Sequence, residues 1–421
     1  MQLHEGLNKR WDLVGIGIIV NACLGTVYSW SVFRAPLQEV LGITAAQSGL
    51  PYSVFLGAFA FSMPLGGALI SRVGPRITLL AGGALVGLGW MIAGFAGSLP
   101  ALVLSYGIIG GVGVGLAYGV PLAVAGSWFP DRRGLAMGLT LGGFGVSPFV
   151  TAPLAEFLII RLGVQSAMTI LGVGFVVIIP VLVPVFRRAA EHDLAGSPGS
   201  DSTLTDAAQG AAAAGPELPP AVMLRQRSFY GLWLCFFIGT LAGLTAIGMT
   251  ASFGQDVAGM SAPAAAAAVS AFAVFNGLGR PLFGAVHDRL GTRGSVVLSF
   301  FLIAVAAVIS LFAADGVMLP FFLGFGIFWL MLGGWLAIAP AATTRLFGAK
   351  NYARNYGIMY TAYGVGALIG GGVFSALYGR FGSYSPMFVF VLALCGVALV
   401  LALVLLRPAE GRATATAGSA G

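Results

Sequence analysis

Apolar stretches about twenty residues long follow one another along almost the whole chain, far more than the core of a water-soluble domain can absorb. A helix of about 20 such residues crosses the hydrocarbon layer of a bilayer. Only helices and closed barrels satisfy their own backbone groups there. Twelve spans are expected, near 11–33, 47–70, 77–97, 101–126, 135–160 and 167–186, then near 228–252, 264–286, 295–313, 317–340, 354–378 and 385–406. Only 8% of the residues are charged, against about 25% in soluble domains. The chain reads as an all-α polytopic membrane protein of twelve transmembrane helices.

Between the two sets of spans, residues 188–224 are polar and rich in Ala, Gly and Pro. Such a composition cannot bury a core, so a flexible linker is expected between six-helix halves at 1–187 and 225–407, with a disordered tail at 408–421. The cations give the orientation. Seventeen of the 21 fall in the even-numbered loops, the linker and the termini, whereas Arg34, Arg161 and Arg380 fall on the opposite side. By the positive-inside rule both termini are cytoplasmic, in a bacterial inner membrane. The net charge of +7 is therefore an orientation signal and does not imply nucleic-acid binding. The N-terminus leads into span 1 without a small-residue cleavage site, so a removed signal peptide is not expected. Cys23, Cys235 and Cys395 sit in apolar segments without a CxxC, which indicates neither a disulfide framework nor a metal site.

The halves repeat. "MPLGGALISRVGPR" (63–76) and "RPLFGAVHDRLGTR" (280–293), 217 residues apart, are identical at half of fourteen positions. Each copy ends the second span of its half and fills the next cytoplasmic loop. Six-span halves related by an axis along the membrane normal are a transporter architecture, with the substrate at their interface.

Gly284, Asp288, Arg289, Gly291 and Arg293 resemble the G-x-x-x-D-R-x-G-x-R loop of the major facilitator superfamily. The first copy keeps Gly67, Arg72, Gly74 and Arg76 but has Ser71 in place of the acid. "WFPDRRGLAMGLTLGGFG" (128–145) resembles a segment between spans 4 and 5 of the monocarboxylate transporters. "YSWSVFRAPLQEVLG" (28–42), "AYGVP" (117–121), "FNGLGRP" (275–281) and "RNYG" (354–357) resemble the related oxalate–formate exchangers. The resemblance implies a two-half pseudo-symmetric transporter working by alternating access, with the repeated loop as a gating element.

Arg280 lies about two helical turns inside span 8. A central arginine costs roughly 3 kcal/mol on insertion scales and usually faces a polar cavity. Its guanidinium stays charged, and its planar fork suits a carboxylate. No acid lies mid-span elsewhere: Glu156 and Asp256 fall towards outer ends and Asp12 near an inner one. Arg280 is thus the expected anion-binding residue. Asn276, four residues earlier on the same face, is a candidate to hydrogen-bond the substrate. In the monocarboxylate transporters the matching position is an aspartate, and neutral Asn276 removes that proton carrier. The resemblance adds Tyr28, Tyr118, Tyr360 and Tyr363, on spans that line facilitator cavities. In the oxalate exchangers the position of Tyr363 is a lysine. One fixed cation matches one carboxylate, because a second carboxylate would stay uncompensated in a low-dielectric site.

The expected function is therefore transport of a small monocarboxylate such as lactate or pyruvate together with a proton, by a monomer. Arg280 holds its proton, so Asp256, at the outer end of span 7, is the proton-coupling candidate. Carriage on the acid itself would need no side chain. No phosphate-binding GxxxxGK[ST] is present, so ATP, a cofactor and a metal are not expected. His4, His192 and His287 lie at the terminus, in the linker and at a span end, which argues against an enzyme. An oxalate–formate-type exchanger, a drug exporter and a non-transporting carboxylate sensor are the alternatives.

Overall fold

The structure, a computed structural model, describes residues 2–129, 133–194, 217–312, 317–348 and 351–406. The tail at 408–421 and most of the expected linker lie outside them. Eleven apolar helical runs are long enough to cross a bilayer among the described residues. They are α1 (Trp11–Leu41), α2 (Gln47–Ile70), α3 (Pro75–Ala93), α4 (Leu99–Ala125), α5 (Ala136–Leu162), α6 (Val164–Pro184), α7 (Arg227–Asp256), the run Ala262–Leu311, α10 (Met318–Phe347), α11 (Arg354–Phe381) and α12 (Ser385–Leu405). The long run is two spans. Gly291 breaks it with φ 67° and ψ −177°, so α8 covers 262–290 and α9 covers 292–311.

The cytoplasmic loop expected over 287–294 thus shrinks to a single non-helical residue. A side chain is strained at such a positive φ, and glycine is not. Gly74, the matching position of the first copy, has φ 86° and ψ 165° between α2 and α3. The sequence repeat is a backbone repeat too. Arg345 packs against Gly291, within 3.5 Å of where a Cβ would stand.

Contacts repeat at the level of whole helices. In the first six, α1 packs on α5, α2 on α4 and α3 on α6; in the last six, α7 packs on α11, and the α8–α9 run on α10 and α12. Across the two sets, α2 meets α11, α5 meets the α8–α9 run and α1 meets α7. A shift of six helices exchanges the first two of those cross-pairs and maps α1 with α7 onto itself, as a two-fold axis requires. The outward surface is apolar: Phe157, Val181 and Leu319 are among many large side chains more than half exposed, which suits lipid and not water.

Two expectations change. Span 1, expected to end near 33, runs to Leu41 after a 3₁₀ turn at Gly25–Ser29. It therefore carries Arg34 as a helical, buried residue. The linker is also less free at its described ends. The helix of α6 continues to Leu194 through Ala- and Glu-containing sequence that favours it. At the other end, Leu218 donates its N–H to Phe347 O (2.9 Å) and its carbonyl accepts from Asn355 Nδ2 (3.0 Å), which ties that segment to α10 and α11.

Candidate functional site

Arg280 is 7% exposed on α8, facing α5. Its Nη1 donates to the carbonyl of Leu141 on α5. Its Nε and Nη2 are buried and have no hydrogen-bond partner among the described residues. Among the described residues no acid bonds it. Glu156 is buried on α5, but it lies eleven residues beyond Gly145, roughly 16 Å along the helix. A buried donor left unpaired costs about 1–3 kcal/mol, and more when charged. A fork in that condition has two donors available to the oxygens of an anion.

Asn276 is fully buried one turn away. The backbones of α8 and α10 touch where Gly279 meets Leu330 O and Gly333 meets Asn276 O, because no Cβ intervenes. That approach lets Asn276 Nδ2 donate to Trp329 O (3.1 Å). The expected amide donor is thus engaged by the protein, and the free group is Oδ1, buried without a partner.

Gly145 forms the opposite wall. A Cβ built on it would stand 2.7 Å from Asn276 Oδ1 and 3.4 Å from Arg280 Nη2. The missing methyl is the space the two polar groups share. Gly145→Ala should therefore crowd the site while leaving the helix intact, since alanine is the better helix former. The expected result is at least a tenfold loss of substrate affinity with an unchanged thermal midpoint, measured by uptake and by thermal unfolding in detergent.

The four tyrosines converge. Tyr28 on α1 and Tyr363 on α11 share a hydroxyl–hydroxyl bond of 2.9 Å across the two sets of helices. Tyr360 stacks on Tyr363 with centroids 4.9 Å apart. Tyr118, on α4, meets Phe144 edge-on at 5.2 Å, as does Tyr28. Phe59 of α2 touches Tyr118, Tyr360 and Tyr363 with centroids between 5.2 and 6.0 Å. Phe59 and Phe144 are the residues that sequence reasoning missed. A phenylalanine in an apolar span carries no signal of its own, although Phe144 stands inside the "GGFG" match.

Asp256 is not part of this cluster. It sits exposed at the end of α7, where Tyr384 donates to its Oδ2 at 2.6 Å. A second buried arginine, Arg34 of α1, is 2% exposed. Each nitrogen of Arg34 is engaged: Nε donates to Ser48 Oγ (3.0 Å), Nη1 to Gly248 O on α7 (3.1 Å) and Nη2 to Ala45 O (2.6 Å). Its guanidinium also lies 5.4 Å from the Phe374 ring centroid on α11. With Ser375 Oγ donating to Ala46 O (2.6 Å), these contacts close the end of the bundle expected to face outward. A small cavity of about 20 Å³ is bordered by Arg34, Tyr52, Ser53, Thr245 and Phe374. Arg34→Gln should leave a buried carbonyl unpaired, a loss of about 1–3 kcal/mol. A lower thermal midpoint and faster thiol labelling of an Ala367→Cys variant at that cavity would register the loosened closure.

Of the repeated-loop residues, Arg72, Asp288 and Arg289 are exposed and Arg76, Gly284 and Arg293 are half-buried. They lie at the opposite end from Arg34. His287, beside them, bonds Thr292 Oγ1 at 3.1 Å across the Gly291 break.

A family model described as Major Facilitator Superfamily matches residues 15–339. The chain is 30% identical over 379 residues to the oxalate:formate antiporter of Oxalobacter formigenes, covering 89% of this chain and 87% of that one. It is 25% identical over 417 residues to monocarboxylate transporter 12 of Mus musculus, covering 94% and 84%. Among solved structures, a POT family transporter in complex with 5-aminolevulinic acid superposes with a TM-score of 0.70 at 13% identity, over 93% of this chain and 95% of that one. A peptide transporter POT in complex with sulfate gives 0.66 at 17%, over 93% of each. At such identities the likeness concerns the fold alone. By its repeated helical plan and its relatives, the chain belongs to the Major Facilitator Superfamily, beside oxalate–formate and monocarboxylate transporters.

Proposed function

We propose that the protein carries a small monocarboxylate, of the lactate and pyruvate kind, across a bacterial inner membrane together with a proton. Arg280 holds the anion, and the two six-helix halves rock around it in alternating access. The observation that carries this reading is the buried guanidinium with Nε and Nη2 unpaired and no acid beside it among the described residues. A carboxylate supplies two acceptors in the plane those donors define. Tyr28, Tyr118, Tyr360 and Tyr363 surround the anion and offer hydroxyls to its second substituent. The proton travels apart from Arg280, on Asp256 at the outer end or on the acid itself. The repeated loop, with Asp288, Arg289 and Arg293 in one copy and Arg72 and Arg76 in the other, gates the inner end. The protein acts alone, with both termini cytoplasmic, and catalyses no reaction.

The oxalate:formate antiporter relative gives exchange of organic anions as the second reading. Tyr363 counts against it for dicarboxylates, because a tyrosine hydroxyl leaves the second negative charge uncompensated. The two separate in proteoliposomes. Proton-coupled uptake of labelled lactate should rise severalfold under an inward proton gradient with an empty interior. Uptake that ignores the gradient and needs an internal anion would establish exchange.

A further inference from the structure

Taking Arg280 as the carboxylate site, as proposed above, we infer that Asn276 selects substrates bearing a hydroxyl on the carbon next to the carboxylate, in preference to keto or unsubstituted acids. On these two residues three buried atoms are unpaired among the described residues: two donors, Arg280 Nε and Nη2, and one acceptor, Asn276 Oδ1. The amide cannot be turned round to alter that count. Its nitrogen faces Trp329 O, and a carbonyl oxygen accepts but never donates. Oδ1 therefore faces the site for as long as α8 and α10 stay in contact. Gly145, which borders it, has no side chain and offers no donor.

A ligand that satisfies the site must bring two acceptors for the fork and one donor for Oδ1. Asn276 Oδ1 and Arg280 Nη2 both lie within 3.4 Å of one point, the missing Cβ of Gly145. The donor must therefore stand close to the carboxylate, and the adjacent carbon is the nearest place for it. A 2-hydroxy acid meets all three demands. An unsubstituted acid leaves Oδ1 unpaired in a dry site. A 2-keto acid brings a second acceptor against it, which is worse than nothing. Sites built to pair a substrate hydroxyl discriminate strongly against analogues without one, because their own buried group is left unmet.

Lactate, propionate and pyruvate differ only in that substituent, so competition against labelled lactate uptake by the reconstituted full-length protein tests the inference. Lactate should compete at least about tenfold better than propionate, and pyruvate should compete least. Asn276→Leu removes the acceptor at similar volume and should bring lactate and propionate to within about twofold of each other. Equal competition by lactate and propionate in the unsubstituted protein would overturn the inference, with no variant needed. If that equal competition also strengthened as the pH fell, the proton of an un-ionised acid would be the partner of Oδ1 instead. Failure of all three acids to compete would remove the carboxylate reading itself, an outcome distinct from loss of the ranking.

Discussion

Arg280→Ala reduces uptake of labelled lactate in proteoliposomes to the level of liposomes without protein, while the purified variant keeps a cooperative thermal transition. That is the expected result, and the geometry sets its size. The substitution removes the two unpaired donors, Nε and Nη2, on which the anion depends. Truncating one partner of a buried charge pair costs about 2–5 kcal/mol, which is roughly thirtyfold to several thousandfold in affinity. The fold should survive, because among the described residues Arg280 makes one hydrogen bond, to Leu141 O on α5. A buried, largely unpaired cation contributes little to stability and is a burden to it, so the variant should melt no lower than the parent. Arg280→Lys sharpens the test. It keeps the charge but loses the planar fork, and uptake should fall at least tenfold.

The second large effect is a change of substrate. Tyr363→Lys places an ammonium where the Tyr363 hydroxyl now bonds Tyr28 at 2.9 Å. With two cations, a dicarboxylate no longer leaves a carboxylate uncompensated. Oxalate, expected not to compete for the parent, should then compete with lactate in the variant, and lactate affinity should fall by tenfold or more as a second buried charge goes unmatched. Competition uptake measures both halves of the exchange. A variant that binds neither anion while folding normally would show that position 363 does not face the substrate.

Much of this was legible before any coordinates. Spans about twenty residues long give the helices, and the copy 217 residues apart gives the repeat, because a duplicated loop keeps its glycine wherever the backbone needs a positive φ. Arg280 stands out in the sequence because a charge in an apolar span is costly, and the structure buries it with two donors unpaired. Arg34 was misjudged for the same reason. It looked like the charge that ends span 1, yet three protein oxygens hold it inside the helix. Whether a buried arginine is satisfied depends on carbonyls from distant segments, and residue type does not encode those. The role of Asn276 was hidden likewise. A sequence offers both ends of its amide, and only the approach of α8 to α10 decides that the nitrogen is taken and the oxygen is free. Phe59 and Phe144, which hold the tyrosines together, are indistinguishable by type from phenylalanines facing lipid.

The central claim is that one buried fork, at Arg280 and not at Arg34, waits for a carboxylate. Thermal unfolding of the purified protein against a series of mono- and dicarboxylates tests it most directly, since a ligand that binds only the folded state raises the midpoint with its concentration. Lactate should stabilise the parent and the Arg34→Lys variant in a saturable way, and should leave the midpoint of Arg280→Lys unmoved. Equal stabilisation of parent and Arg280→Lys by lactate would contradict the account.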